Sequence, residues 1–107
     1  MTDFKDRQRG EEAKYAMDEN TAFRIAARRN RLLGHWAAER MSLTPEETEA
    51  YARSVIQADF EEAGDEDVIR KVLGDLTGAG CDIDEDAVRA ALADKSVEAK
   101  RQLMSES

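Results

Sequence analysis

The only proline of the chain, Pro45, stands between a threonine and two glutamates, and this tetrapeptide constrains the fold more than any other feature. In Thr44-Pro45-Glu46-Glu47 the threonine takes the N-cap and the proline the first helical position, where its missing N–H costs nothing. The second glutamate falls three residues after the cap, so the two side chains can satisfy each other's backbone amides. A helix therefore starts here, and the rest of the chain is free of the residue that most often breaks one. Charged residues make up 37% of the sequence, which suits exposed helical faces better than the alternation and frequent turns of a sheet protein. With 107 residues, the expectation is one domain with a modest core.

Upstream of the proline, a helix is predicted over residues 19–41, capped by Asp18 or Asn20 and ended at Ser42 and Leu43. Its apolar face is read as Ala22, Ile25, Ala26, Leu32, Leu33, Trp36 and Ala37. Downstream, Tyr51, Ala52, Val55, Ile56 and Phe60 supply the next stripe, and Gly64 suits a left-handed helix end. Asp65 caps a short third helix carrying Val68, Ile69, Val72, Leu73 and Leu76, which Gly78-Ala79-Gly80 breaks. A fourth begins at Asp84, with Glu85 and Asp86 near the positive end of its dipole and Ile83 and Val88 spaced as a staple. Ala87, Val88, Ala91 and Leu92 face inward, and the pattern fades after Val97. The predicted fold is all-α: a four-helix antiparallel bundle over residues 19–107. Residues 1–18 lack a clear stripe, and Gly10 costs a helix about 1 kcal/mol relative to alanine. They are read as a flexible arm that orders on contact with a partner.

The net charge of -8 argues against nucleic acid as a partner, since phosphates demand a basic surface. Residues 1–43 hold 9 basic and 7 acidic side chains, whereas residues 44–107 hold 7 and 17, so the two ends face different electrostatic surroundings. No apolar run approaches the roughly 20 residues of a membrane span, and no signal-peptide core is present. A cytoplasmic location without membrane insertion is expected. The single cysteine, Cys81, excludes an intramolecular disulfide and has no basic neighbour to activate it.

Candidates for chemistry mostly fail on spacing. Asp82, Asp84 and Asp86 alternate like the start of a calcium loop, but Ala87 and Ala93 stand where glycine and glutamate belong. His35 and Glu39 lie one helical turn apart, which is only half a metal site. Gly78-x-Gly80 meets Ile83 where a dinucleotide fingerprint needs its third glycine. No serine or cysteine is identifiably paired with His35, the only histidine. The sequence predicts no catalytic residue, no metal site and no required cofactor, hence no enzyme.

One constellation survives. Arg24, Arg28, Arg31 and His35 align in a narrow stripe along the first long helix. Arg29 points instead towards the apolar side, where a guanidinium needs an anionic partner. Two readings stay open: a solvated face with intramolecular ion pairs to the acidic half, or a contact for an acidic protein surface or a nucleotide phosphate.

The runs Ala27-Arg28-Arg29-Asn30-Arg31-Leu32-Leu33-Gly34 and Trp36-Ala37-Ala38-Glu39 resemble the signature of the zeta-subunit family, inhibitors of the F-type ATP synthase of alphaproteobacteria. Ala58-Asp59-Phe60-Glu61-Glu62-Ala63-Gly64-Asp65, Val68-Ile69-Arg70-Lys71-Val72, Asp6-Arg7, Glu12-Ala13-Lys14-Tyr15-Ala16 and Asp18-Glu19 are similar too. The resemblance implies a four-helix bundle, monomeric when free, that binds the catalytic head (alpha, beta and gamma subunits) of the membrane-bound enzyme from its periphery. It implies that the N-terminal segment orders into a helix, wedges into a catalytic interface and blocks hydrolysis, with Phe4, Asp6, Arg7, Lys14 and Tyr15 in that inhibitory arm. The family pattern has alanine and an aromatic residue where this chain has Gly10 and Glu11, an apolar residue at His35 and a histidine at Met17. Weak inhibition is therefore expected of this member. The alternative is a regulatory helical module that responds to ATP or ADP without strong inhibition.

Overall fold

In the computed structural model, four helices follow one another: α1 Thr2–Arg40, α2 Pro45–Glu61, α3 Asp65–Gly78 and α4 Glu85–Glu106. The structure describes the backbone of residues 2–61 and 65–106, and the side chains of residues 20–59 and 65–106. The capping box forms as expected. Glu47 N donates to Thr44 Oγ1 at 3.1 Å, and Thr44 N donates to Glu47 Oε1 at 2.8 Å. That backbone amide holds the Glu47 carboxyl below its ordinary range. At the start of α4, Asp84 Oδ1 accepts from Ala87 N at 2.9 Å, while Ile83 and Val88 pack into the core as the staple spacing requires.

Cross-helix pairs set the directions of the helices. Arg29 of α1 meets Asp59 and Asp65, whereas Arg31 and His35, further along α1, meet Glu49 near the start of α2. Arg28 meets Gln102 and Glu106 at the end of α4, and Tyr51 of α2 meets Asp75 of α3. Each adjacent pair so linked is antiparallel. At 1.5 Å per residue the 39 residues of α1 reach about 58 Å, so this helix sets the 62 Å length of a molecule only 24 × 22 Å across.

The core is aliphatic and small: Leu33, Ala37, Val55, Val68, Val72, Leu76 and Val88 are wholly buried, with Ile69, Ala91 and Leu92 beside them. Three expectations need correction. Ala22 is exposed, because the bundle does not reach that far along α1, while Gly34 and Ala38 are buried. The buried face of α4 does not fade after Val97 but continues through Ala99 and Leu103. The helix expected over residues 19–41 starts earlier, at Thr2, so the flexible N-terminal arm itself carries a helical backbone. Gly64 and the side chain of Phe60 lie outside the described residues.

Two helices end in the same way. After α3, Cys81 N donates to Leu76 O at 2.9 Å and Gly80 N to Thr77 O at 3.0 Å, with Gly80 at φ 82°. After α1, Leu43 N donates to Ala38 O at 3.1 Å and Ser42 N to Glu39 O at 3.2 Å. Both are Schellman motifs, but the left-handed position after α1 holds Ser42, at φ 58°. A side chain there costs roughly 1–2 kcal/mol, part of which glycine would return through its freer unfolded state. Ser42→Gly is thus expected to stabilise the protein by about 0.5–1 kcal/mol, readable as a higher midpoint in thermal unfolding.

A polar cluster ties α2 to α3. Tyr51 Oη donates to Asp75 Oδ2 at 2.8 Å, and Lys71 Nζ donates to the same oxygen at 3.1 Å while lying 5.3 Å from the Tyr51 ring centroid. Burial, and then the Asp75 carboxylate, push the phenol well above its ordinary value. An unfolded tyrosine loses its proton near pH ~10. The stability due to this group is therefore intact at neutral pH and is lost as pH rises beyond that value. Tyr51→Phe should cost about 1–2 kcal/mol at pH 7 and flatten the alkaline limb of a stability profile measured by urea titration.

Candidate functional site

The surface that α1 presents combines the stripe foreseen in the sequence with the neighbours the fold brings to it. Arg28 Nη1 donates to Gln102 Oε1 at 2.7 Å, and its Nη2 lies 3.0 Å from Glu106 Oε1. Arg31 Nη2 reaches Glu49 Oε2 at 3.5 Å. His35 Nε2 stands 3.1 Å from Glu49 Oε1, yet this approach lacks the alignment of a hydrogen bond. It becomes an ion pair only when the imidazole is protonated. Arg24 is exposed and has no ion pair among the described residues. The stripe is therefore real as a line on α1, but its groups do not converge. Arg28 turns to α4, and Arg31 and His35 turn to α2.

Arg29 is the residue whose anionic partner the sequence demanded. Its side chain is only 12% exposed. Nη1 donates to Asp65 Oδ1 at 2.9 Å, Nη2 lies 3.7 Å from Asp59 Oδ2, and Nε donates to Asn30 Oδ1 at 3.0 Å. One guanidinium thus braces α1 against the end of α2 and the start of α3. Asn30, 1% exposed, was not foreseen as a buried polar group. Its position three residues before Leu33 puts it on the apolar face, which was the only available signal. Its Nδ2 has no hydrogen-bond partner among the described residues, and a cavity of about 20 Å³ lies between it, Ile56 and Asp59. That volume suits one water, bound between an amide donor and a carboxylate.

An open groove of about 530 Å³ runs beside the stripe, lined by Leu32, His35, Trp36 and Glu39 of α1 and by Pro45, Glu49 and Lys95. At its far end Arg40 stacks 4.3 Å from the Trp36 ring centroid and donates to Trp36 O at 3.0 Å. The Cys81 thiol donates to Arg40 O at 3.3 Å, closing the α3–α4 connection onto the end of α1. On the opposite side, Arg89 donates to both oxygens of Glu66 and to Glu85. Its hydrogen bond lowers the Glu66 carboxyl from its ordinary value, and Glu66 in turn raises the guanidinium. Among the described residues no three histidine, cysteine or carboxylate side chains could hold one metal ion, and no helix is long and apolar enough to cross a membrane. The side chains of Phe4, Asp6, Arg7, Lys14 and Tyr15 lie outside the described residues.

Four helices whose cations mostly brace their own bundle, with one helix running far past the rest, define a small all-α module built to present an extended N-terminal helix. The chain belongs to the ATPase inhibitor subunit zeta family, whose model matches residues 1–102. That name describes a regulatory subunit rather than a catalyst, and it implies association with ATP synthase. A protein structure solved by NMR in solution is 50% identical, with a TM-score of 0.70 over 79% of this chain and 96% of its own. No curated protein matches at a significant level.

Proposed function

We propose that this protein restrains the F-type ATP synthase by binding its catalytic head, formed by the alpha, beta and gamma subunits, and inserting residues 1–18 to block hydrolysis. The observation that carries the reading is that the family match includes the arm, which continues α1 without a break from Thr2. Such a helix need not be nucleated on the partner; it has only to be held, which lowers the cost of ordering. Phe4, Asp6, Arg7, Lys14 and Tyr15 make the contacts, and the bundle anchors the arm from the cytoplasmic side at the periphery of the membrane-bound enzyme. The free protein is a monomer and needs no cofactor.

Gly10 and Glu11 leave this arm a poorer helix with one fewer apolar contact, so inhibition is weak. A buried aromatic contributes about 1.5–3 kcal/mol, or roughly 10–100-fold in affinity. In a hydrolysis assay on the ATP synthase head, Gly10→Ala with Glu11→Phe should lower the half-inhibiting concentration by that factor. An unchanged curve for the double variant, or no inhibition by either protein, counts against the proposal. A nucleotide-responsive reading requires phosphate to displace Glu106 from Arg28 and Glu49 from Arg31. ATP or ADP titration followed by amide chemical shifts around Arg24, Arg28 and Arg31 separates the two.

A further inference from the structure

α4 carries apolar residues on two opposite faces. One is the buried face. At 100° per residue, Ala90, Ala93, Val97 and Met104 fall within a strip about 60° wide on the other side. All four are exposed, Val97 by 59% and Met104 by 69%, and among the described residues these two are among the few large apolar side chains left in solvent. Isolated apolar residues on a surface are ordinary, but four in register along one helix form a docking strip.

Charge indicates what covers it. In the strongly acidic half of the chain, Arg70, Lys71, Arg89 and Lys95 are all paired with carboxylates of their own molecule. Among the described residues Arg53, Lys100 and Arg101 of that half are exposed and have no such pair, and the last two flank the strip between Val97 and Met104. Two unpaired cations beside an apolar strip call for carboxylates from outside. The location narrows the source further. Arg28 pairs with Gln102 and Glu106, so this end of α4 lies where α1 leaves the bundle and heads for Thr2.

We infer that the outer face of α4, centred on Val97 and Met104 and edged by Lys100 and Arg101, is a second docking surface for an acidic, amphipathic protein surface on the same partner that holds residues 1–18. This rests on the reading that the arm engages the ATP synthase head. The arm supplies the block, and the strip adds affinity and a salt-dependent association rate.

The test measures direct binding of the full-length protein to the ATP synthase head, alongside hydrolysis. Lys100→Gln with Arg101→Gln, and separately Met104→Ala, alter only exposed side chains, so thermal unfolding should be unchanged. Each is expected to weaken binding about tenfold while leaving the fully inhibited plateau where it was, and the glutamine pair should also reduce the loss of affinity between low and high salt. If the wild-type chain binds but does not inhibit, the proposed function fails and the strip is still judged by these affinities. Affinities equal to wild type, no binding by the wild-type chain, or a change in self-association on sedimentation in place of a change in binding would each overturn the inference.

Discussion

Removal of residues 1–18 is expected to abolish inhibition while leaving a folded bundle. Every buried residue described lies between Asn30 and Leu103, so the deletion takes nothing from that core. The shortened α1 would begin at Glu19 and Asn20, and asparagine is a good N-cap. Its thermal midpoint should stay within about 3 °C of the parent, since 1 kcal/mol corresponds to roughly 4–8 °C at this size. The effect on the partner is far larger. If Phe4 and Tyr15 are each worth about 1.5–3 kcal/mol on contact, their joint loss raises the half-inhibiting concentration by roughly 10²–10⁴-fold. A truncated protein that still inhibited fully would show that the block resides in the bundle. One that unfolded would show that residues 1–18 belong to the core.

Gly34→Ala is expected to lower stability by about 2 kcal/mol, although the same change in an open helix usually adds about 1 kcal/mol. The reason is the crossing of α1 and α2. A Cβ at Gly34 would lie 2.7 Å from Ala52 Cα and 3.2 Å from Ala52 Cβ, so the two backbones must separate or the helices shift. Because the closest atom is main chain, Ala52→Gly should rescue little of the loss. Gly74 is the control. It lies in the same kind of helix interior, but nothing stands within 4 Å of an added Cβ, so Gly74→Ala should raise the thermal midpoint. Equal responses at the two glycines would refute the packing argument.

How much of this was legible in the sequence depended on how local each signal was. The caps at Thr44 and Asp84 were readable because their partners lie three residues away. The need for an anion at Arg29 was readable from its place on α1, but not that Asp59 and Asp65 supply it, since the chain brings them together only after folding. Gly34 and Ala38 are hard to read as buried because small residues carry little hydrophobic signal, yet Gly34 permits the close approach of α1 to Ala52 of α2. The end of α4 was misread because its two apolar faces blur any single periodicity. The arginine stripe was visible as a line. Which helix each of its members would face was not, because that depends on how α2 and α4 pack around α1.

The unbroken course of α1 makes length and angle inseparable. One residue inserted near position 20 would carry everything before it ~1.5 Å outward and turn it by ~100° relative to the bundle. A flexible arm absorbs such a change while free, but not once it is held along its length in this helical form. In that held state the phase between tip and base is fixed, and a binding cleft able to grip both must be cut to the same pitch.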